Sequence, residues 1–247
     1  PTDFWENVRT ELDQIKAVFM LAESEESDLL ERAFDMNYGW EFHHILNGIA
    51  KGEKNTQEVM KYLKKEKENT PERAYKMYFL TNHDENSWNG TIEERLGEAV
   101  KAMAVLTFTL HDMPLIYSGQ EAGNSKRLEF FEKDPIDWKD YPMQDFYKKL
   151  IGYKHDYPAF WNGPYGGDFI HMPTDHDDQV IAFKRIQGDN DMMVIVNLSP
   201  DTYEATFIKD DLIGYKPILM KNFQPTMVVN SFTMYPWGYI VMERVEK

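Results

Sequence analysis

The sequence predicts a parallel α/β unit followed by a smaller antiparallel β-domain, and three observations carry that expectation. Apolar runs at residues 17–22, 78–80 and 113–117 each stop abruptly in a polar cluster, as strands buried on both faces do. Segments with apolar residues at helical spacing lie between these runs. After about Trp161 the helical spacing vanishes, and short apolar runs recur between turn signals such as Gly188-Asp189-Asn190 and Ser199-Pro200-Asp201.

Taken in order, residues 3–16 read as an amphipathic helix capped by Thr2 or Asp3, with Phe4, Val8, Leu12 and Ile15 as its apolar stripe. Residues 17–22 form a continuous apolar run, a buried strand that ends in Glu23-Ser24-Glu25-Glu26. A short helix at 28–33 and a short strand at 34–37 follow. Residues 40–50 have helical spacing, and Gly52 ends that helix. Residues 56–68 make a charged surface helix with Val59, Met60 and Leu63 buried, and Thr70-Pro71-Glu72 opens a further helical turn. The stretch 78–88, YFLTNHDENSW, is the one around which the chain is organised. Its aromatic-apolar start fits a buried strand, and seven polar residues then follow in a row, from Thr81 to Ser87. In β/α enzymes a strand's C-terminal end presents chemistry in this way; a strand followed by a plain polar turn has the same pattern.

Residues 93–110 form the longest helical segment, with Leu96, Val100, Met103, Leu106 and Leu110 in one stripe that packs on a sheet. The strand at 113–117 stops at Ser118-Gly119-Gln120-Glu121. Residues 124–139 are loop, and residues 143–156 are a last helix closed by Pro158. Strands of the β-domain are expected at 168–172, 180–186, 192–198, 203–207, 216–220, 227–229 and 239–243, arranged as a sandwich or Greek key. The boundary falls near Asn162-Gly163-Pro164, giving domains 1–161 and 162–247.

Composition narrows the function. The 247 residues carry a net charge of −15, from 42 acidic and 27 basic side chains, which argues against a nucleic-acid partner and fits a neutral ligand better than an anionic one. With 42% hydrophobic and 14% aromatic residues the chain can build a core, and aromatic faces also suit sugar rings. No cysteine is present, so thiolate metal sites, disulfides and a cysteine nucleophile are excluded. No apolar run is long enough to span a membrane. The chain opens on Pro1 rather than Met, which reads as an excised or processed end.

Glu23, Asp84 and Gln120/Glu121 stand at three strand ends. Two carboxylates at neighbouring strand ends suit glycoside hydrolysis, where one gives a proton to the leaving oxygen and the other stays ionised beside a positive anomeric centre. Glu23 follows an apolar run, so a desolvated carboxyl suited to an acid is expected there. The plain structural readings are a surface Glu opening a helix for Glu23 and an N-cap for Asp84. The nearest other histidines, His43-His44 and His111, lie on different elements from His83, so no metal site is expected.

With those residues in view, the chain resembles the α-amylase family of glycoside hydrolases. The matching stretches are Val18 to Glu23, Phe79 to Asp84 and Met113 to Glu121, in the family's order, with a β-domain after the last barrel helix. The resemblance implies a partial TIM (β/α)8 barrel, strands five to eight, followed by an antiparallel β-sandwich domain. It implies Glu23 as general acid/base, Asp84 as the transition-state-stabilising carboxylate, and His83 as a ligand to sugar hydroxyls. Asn82 supports the loop, and Gly119-Gln120-Glu121 is architectural. The implied partner is an α-glucan oligo- or polysaccharide such as starch or maltooligosaccharide.

The departures matter as much. The family's nucleophilic Asp, in a Gly-Phe/Leu-Arg-x-Asp motif after strand four, is missing, as are the early strands and their Asp-x-x-x-Asn-His motif. Calcium, which the family commonly binds through a subdomain after strand three, belongs to a parent protein and has no ligands in this chain. The expectation is therefore the C-terminal half of a retaining α-glucan hydrolase, inactive alone, whose open barrel face takes the missing N-terminal half or a second copy. The alternative is a non-catalytic module that binds glucan or a protein. Asp112 replaces the Gly usual before the strand-eight Met-Pro, which implies a different turn. Trp88 either stacks on a sugar or packs; Trp161 and Trp237 read as core. A polymeric substrate points to a secreted or periplasmic parent.

Overall fold

The computed structural model describes residues 1–245. Four short strands, β1 (Leu21–Ala22), β2 (Met36–Tyr38), β3 (Tyr75–Phe79) and β4 (Met113–Leu115), form one parallel sheet in the order β1-β2-β3-β4. Sequence neighbours are spatial neighbours throughout, with no reversal of strand order. That is the wall of a (β/α)8 barrel rather than a doubly wound sheet, whose order reverses at a switch point. Side chains alternate as the pleat requires. Met36, Tyr38, Met77 and Phe79 share one cluster on one face, while Tyr78 on the other face packs with Phe42 and Tyr62.

The helices outside the sheet are α1 (Thr2–Ile15), α2 (Leu29–Arg32), α3 (Trp40–Ala50), α4 (Thr56–Asn69), α5 (Ile92–Leu96), α6 (Val100–Thr109) and α7 (Gln144–Asp156). Capping boxes start two of them: Asn55 with Glu58 at α4, and Thr91 with Glu94 at α5. The long helix expected over 93–110 is broken. Gly97 has φ 51°, and a 3₁₀ turn at Gly97–Ala99 separates α5 from α6. Only glycine takes that backbone cheaply. Nor does α6 carry a single stripe. Ala102 to Thr109 are all buried. The helix lies between the parallel sheet and the second domain, whose Ile181, Phe183, Val194 and Val241 join the same core cluster.

Other expectations need correction. Of the 17–22 run only Leu21 and Ala22 pair; Phe19 and Leu21 remain 54% and 40% exposed, because β1 is an edge strand with no partner on its outer side among the described residues. Helix α1 forms, but none of its stripe is buried, and Phe4 and Ile15 are exposed. In α4 the fully buried apolar side chains are Val59 and Tyr62, with Met60 and Leu63 only partly covered. Thr70-Pro71-Glu72 makes a turn, closed by Ala74 N–H donating to the Pro71 carbonyl at 2.8 Å, not a helix. Strand β4 is half-exposed for the same reason as β1: it is the other open edge.

The second domain contains β5 (Asp168–His171), β6 (Val180–Gln187), β7 (Asn190–Asn197), β8 (Tyr203–Thr206), β9 (Tyr215–Pro225) and β10 (Ser231–Arg244). All six belong to one curled antiparallel sheet. The first part of β10 pairs β8 and its second part pairs β7, with β9 along its other side. The curl encloses Met172, Ile195, Phe207, Phe232 and Met242. The run at 227–229 is the turn between β9 and β10 rather than a strand, and its Met227 is fully exposed. Trp237 is core as expected, whereas Trp161 is 42% exposed.

Candidate active site

The loop after β1 carries Glu23. It is tied down by Tyr38 N–H, which donates to the Ser24 carbonyl at 2.9 Å, and by Asn37 Nδ2, which donates to the Glu26 carbonyl at 3.2 Å. Glu25 Oε1 accepts from the Glu41 N–H at 2.7 Å, which joins the same loop to the start of α3. The loop after β3 carries His83 and Asp84 and runs into a single π-helical turn, Glu85–Asn89. Such turns recur where a side chain must be re-aimed near a site. Asn82 caps this one, its Oδ1 accepting from the Glu85 N–H at 2.8 Å.

These two loops bring the three sequence-derived residues together. His83 Nε2 lies 3.2 Å from Glu23 Oε1 and 3.7 Å from Asp84 Oδ2. Glu23 departs from expectation in one respect. Its side chain is 55% exposed, so its carboxyl is not desolvated, because the run before it does not bury it. Tyr38 beneath the pair was not visible as a site residue. Burial first, and then the charges of Glu23 and Asp84, push its phenol up.

Support comes from residues that sequence reasoning left unassigned. Glu85, next to Asp84, is buried; its Oε2 is 3.0 Å from His43 Nε2 and its Oε1 accepts from Asn89 at 2.8 Å. Arg95 stands 3.8 Å away and also donates to the Leu80 carbonyl and to Asn47. Burial alone would raise the Glu85 carboxyl; the hydrogen bonds of His43 and Asn89 and the charge of Arg95 outweigh it and hold it down to about 2. Burial also lowers His43, which works against the imidazolium that this carboxylate favours. The Glu85 direction is the firmer one, since Asn89 and Arg95 stabilise the carboxylate whichever form His43 takes. His43 is thus structural, in the middle of α3.

Gly119 has φ 94°, and Gln120 bridges the Tyr117 N–H (2.7 Å) and the Tyr147 hydroxyl (2.8 Å), fastening the loop after β4 to α7. Asp112 has no positive φ; its Oδ1 accepts from the Lys76 N–H of β3 at 2.8 Å, a bond that glycine has no side chain to make.

Glu23, His83 and Asp84 are also the one group of three or more acidic or histidine side chains converging within 4.8 Å among the described residues. Two carboxylates and an imidazole do not make a calcium cage, which takes roughly six to eight oxygens. No helix among the described residues is long and apolar enough to cross a membrane.

A parallel barrel wall with carboxylates at its strand ends, followed by a curled β-domain, is an architecture that glycoside hydrolases use. The chain belongs to the α-amylase family: residues 1–167 match the family model described as "Alpha amylase, catalytic domain". It is 22% identical over 205 residues to alpha-amylase 2 of Dictyoglomus thermophilum, covering 78% of this chain and 33% of that protein. It is 31% identical over 137 residues to alpha-amylase MalA of Haloarcula japonica, covering 53% of this chain and 19% of that one. The chain therefore spans a third or less of the length of these relatives. Among solved structures, the noncanonic maltogenic alpha-amylase AmyB of Thermotoga neapolitana superposes with a TM-score of 0.78 at 19% identity, over 100% of this chain and 59% of that one. The alpha-amylase of Geobacillus thermoleovorans superposes with a TM-score of 0.78 at 17% identity, over 100% and 58%. At such identities the superpositions establish a shared fold.

Proposed function

We propose that this chain supplies the acid/base and the charge-stabilising carboxylate of a retaining α-glucan hydrolase acting on starch or maltooligosaccharides. The observation that carries the reading is the convergence of Glu23, His83 and Asp84 at the C-terminal ends of parallel barrel strands. Glu23 protonates the glycosidic oxygen as the bond breaks. A carboxylate from a segment outside these 247 residues attacks the anomeric carbon, and Asp84 faces the positive charge that develops there. Glu23, now ionised, takes a proton from the water that releases the sugar. His83 donates to sugar hydroxyls between the two carboxylates. The half-exposed position of Glu23 fits an open cleft, where bound sugar, not protein, supplies the desolvation that a proton donor needs.

On this reading the chain alone does not hydrolyse glucans, because its nucleophile lies elsewhere. The free edges of β1 and β4, with the half-exposed Leu21 and Met113–Leu115, are the surfaces on which further barrel strands or a second copy would pair. The test is Glu23→Gln in the intact protein with a completed barrel. A loss of turnover on maltoheptaose of about a thousandfold or more is expected. Near-normal turnover would sink the acid/base assignment.

A further inference from the structure

Three large aromatic side chains stand exposed beside Glu23, His83 and Asp84 in this chain. Trp88, on the π-helical turn, is 57% exposed; Phe130 and Phe131, in the loop after β4, are 39% and 82% exposed. Their rings touch: Trp88–Phe130 at 5.3 Å, Trp88–Phe131 at 6.2 Å and Phe130–Phe131 at 4.9 Å between centroids. Phe130 also lies 6.0 Å from the His83 ring, so the patch is continuous with the Glu23–His83–Asp84 group. A contiguous apolar patch with polar neighbours at a cleft marks a binding surface more often than loose packing.

The patch is pre-organised. Asn86, buried in the π-helical turn two residues after Asp84, grips the loop with both ends of its amide. Its Oδ1 accepts from the Leu128 N–H at 2.8 Å, and its Nδ2 donates to the Lys126 carbonyl at 3.2 Å. Arg127 forks onto Glu94 at 2.8 and 3.2 Å, and Asp134 accepts from the Glu129 N–H at 3.0 Å and pairs with Lys126. The element that sets Asp84 therefore also sets the position of Phe130 and Phe131 relative to it.

We propose that Trp88, Phe130 and Phe131 form a stacking platform for a glucosyl unit of the same chain that is cut at Glu23 and Asp84. This rests on the α-glucan reading above. The apolar C–H face of a pyranose matches an aromatic ring, and edge-on and tilted rings (77° for Phe130–Phe131, 40° for Trp88–Phe130) present a curved surface to a curved α-linked chain. The nearest charges favour a neutral sugar: Glu23 and Asp84 stand on one side, and the loop itself is charge-balanced, Lys126, Arg127 and Lys133 against Glu129, Glu132 and Asp134.

The experiment measures maltoheptaose binding and hydrolysis by the intact protein and its variants Trp88→Ala, Phe131→Ala and the double variant, with Trp88→Phe as conservative control. The Kd and KM for maltoheptaose should rise about tenfold in the double variant and much less in Trp88→Phe. Binding unchanged in the double variant overturns the platform and leaves the glucan reading standing. If the unmodified protein itself binds no maltoheptaose, the glucan reading fails and the platform with it. If Trp88→Ala lowers the melting temperature, Phe131→Ala decides, since so exposed a ring contributes little to folding. An unmodified protein that self-associates while the double variant is monomeric, with equal maltoheptaose affinity, makes the patch a protein contact and overturns the proposal.

Discussion

Glu85 Oε2 sits 3.0 Å from His43 Nε2, and this buried pair joins the middle of α3 to the residue that follows Asp84. The π-helical turn that follows His83 and Asp84 is thus fastened to a helix packed on the outside of the barrel wall. The position of Asp84 is thereby tied to a buried residue outside the proposed site.

The pair makes stability depend on pH in a defined window. The Glu85 carboxyl is held at about 2, below its ordinary 4.5, so the unfolded chain binds the extra proton between those values. Its stabilisation is complete above 4.5, declines as pH falls through that range and is gone below about 2. Urea unfolding followed from pH 6 to 3 should show a stability loss that is reduced in Glu85→Gln. Equal slopes for the two proteins would refute the coupling.

A second prediction concerns how the two domains are joined. Arg185, on β6 and fully buried, donates to the carbonyls of Thr109 (2.8 Å), Gly167 (3.0 Å) and Trp161 (3.4 Å), tying the end of α6 to the β-domain. Arg185→Met fills the space but leaves three acceptors without a donor, which should cost on the order of 3 kcal/mol. A Cβ at Gly166 would meet the Trp161 carbonyl oxygen at 2.0 Å and Arg185 Nη2 at 2.7 Å. Gly166→Ala should therefore damage the same clamp, and the double variant should lose less than the sum of the two. Additive losses by calorimetry would mean that the two act separately.

Lys154 gives a third. Its stem is partly exposed, but its ammonium turns inward onto the carbonyls of Asp112 (2.9 Å) and Leu110 (3.4 Å). Burial, helped by the charge of Arg185 and opposed by Asp112, lowers it to about 7. Between 7 and its ordinary 10.5 the unfolded chain holds a proton that the folded chain does not, so this group's contribution to stability rises with pH. Relative to Lys154→Met, the unmodified protein should gain stability from pH 7 to 9.5. A flat difference in melting temperature across that range would contradict the inward placement.

The stretch that brings His83 and Asp84 beside Glu23 stood out because its signal is local: a buried strand breaking into seven polar residues, and an apolar run ending at Glu23. What escaped the sequence depends on partners distant in the chain. The 17–22 run is apolar enough for a core strand, but composition does not report whether a neighbour covers it, and β1 is an edge. Gly97 interrupts an otherwise unbroken helical pattern through its φ of 51°, a backbone state that spacing does not encode. Arg185 sits among Val180, Ile181, Ala182 and Phe183 in a strand whose charge would normally face solvent; only the carbonyls of two other segments make its burial affordable. His43 and Glu85 are 42 positions apart, and neither carries a local mark of the other.

The last prediction separates loop geometry from stability. Asn82 Oδ1 caps the π-helical turn through the Glu85 N–H at 2.8 Å, and its backbone carbonyl accepts from the Asn86 N–H at 3.1 Å. Asn82→Ala removes the side-chain cap alone, a loss of about 1 kcal/mol in folding. The same cap orients His83 and Asp84, so the effect on chemistry should be larger than on folding. A displacement of the Asp84 carboxylate by about 1 Å is enough for a loss near a hundredfold in turnover. Steady-state kinetics of the intact protein with a completed barrel on maltoheptaose should accordingly show kcat falling far more than the melting temperature would suggest, with KM little changed. If stability falls by about 1 kcal/mol and kcat is unchanged, the cap acts on folding only and does not set the position of Asp84.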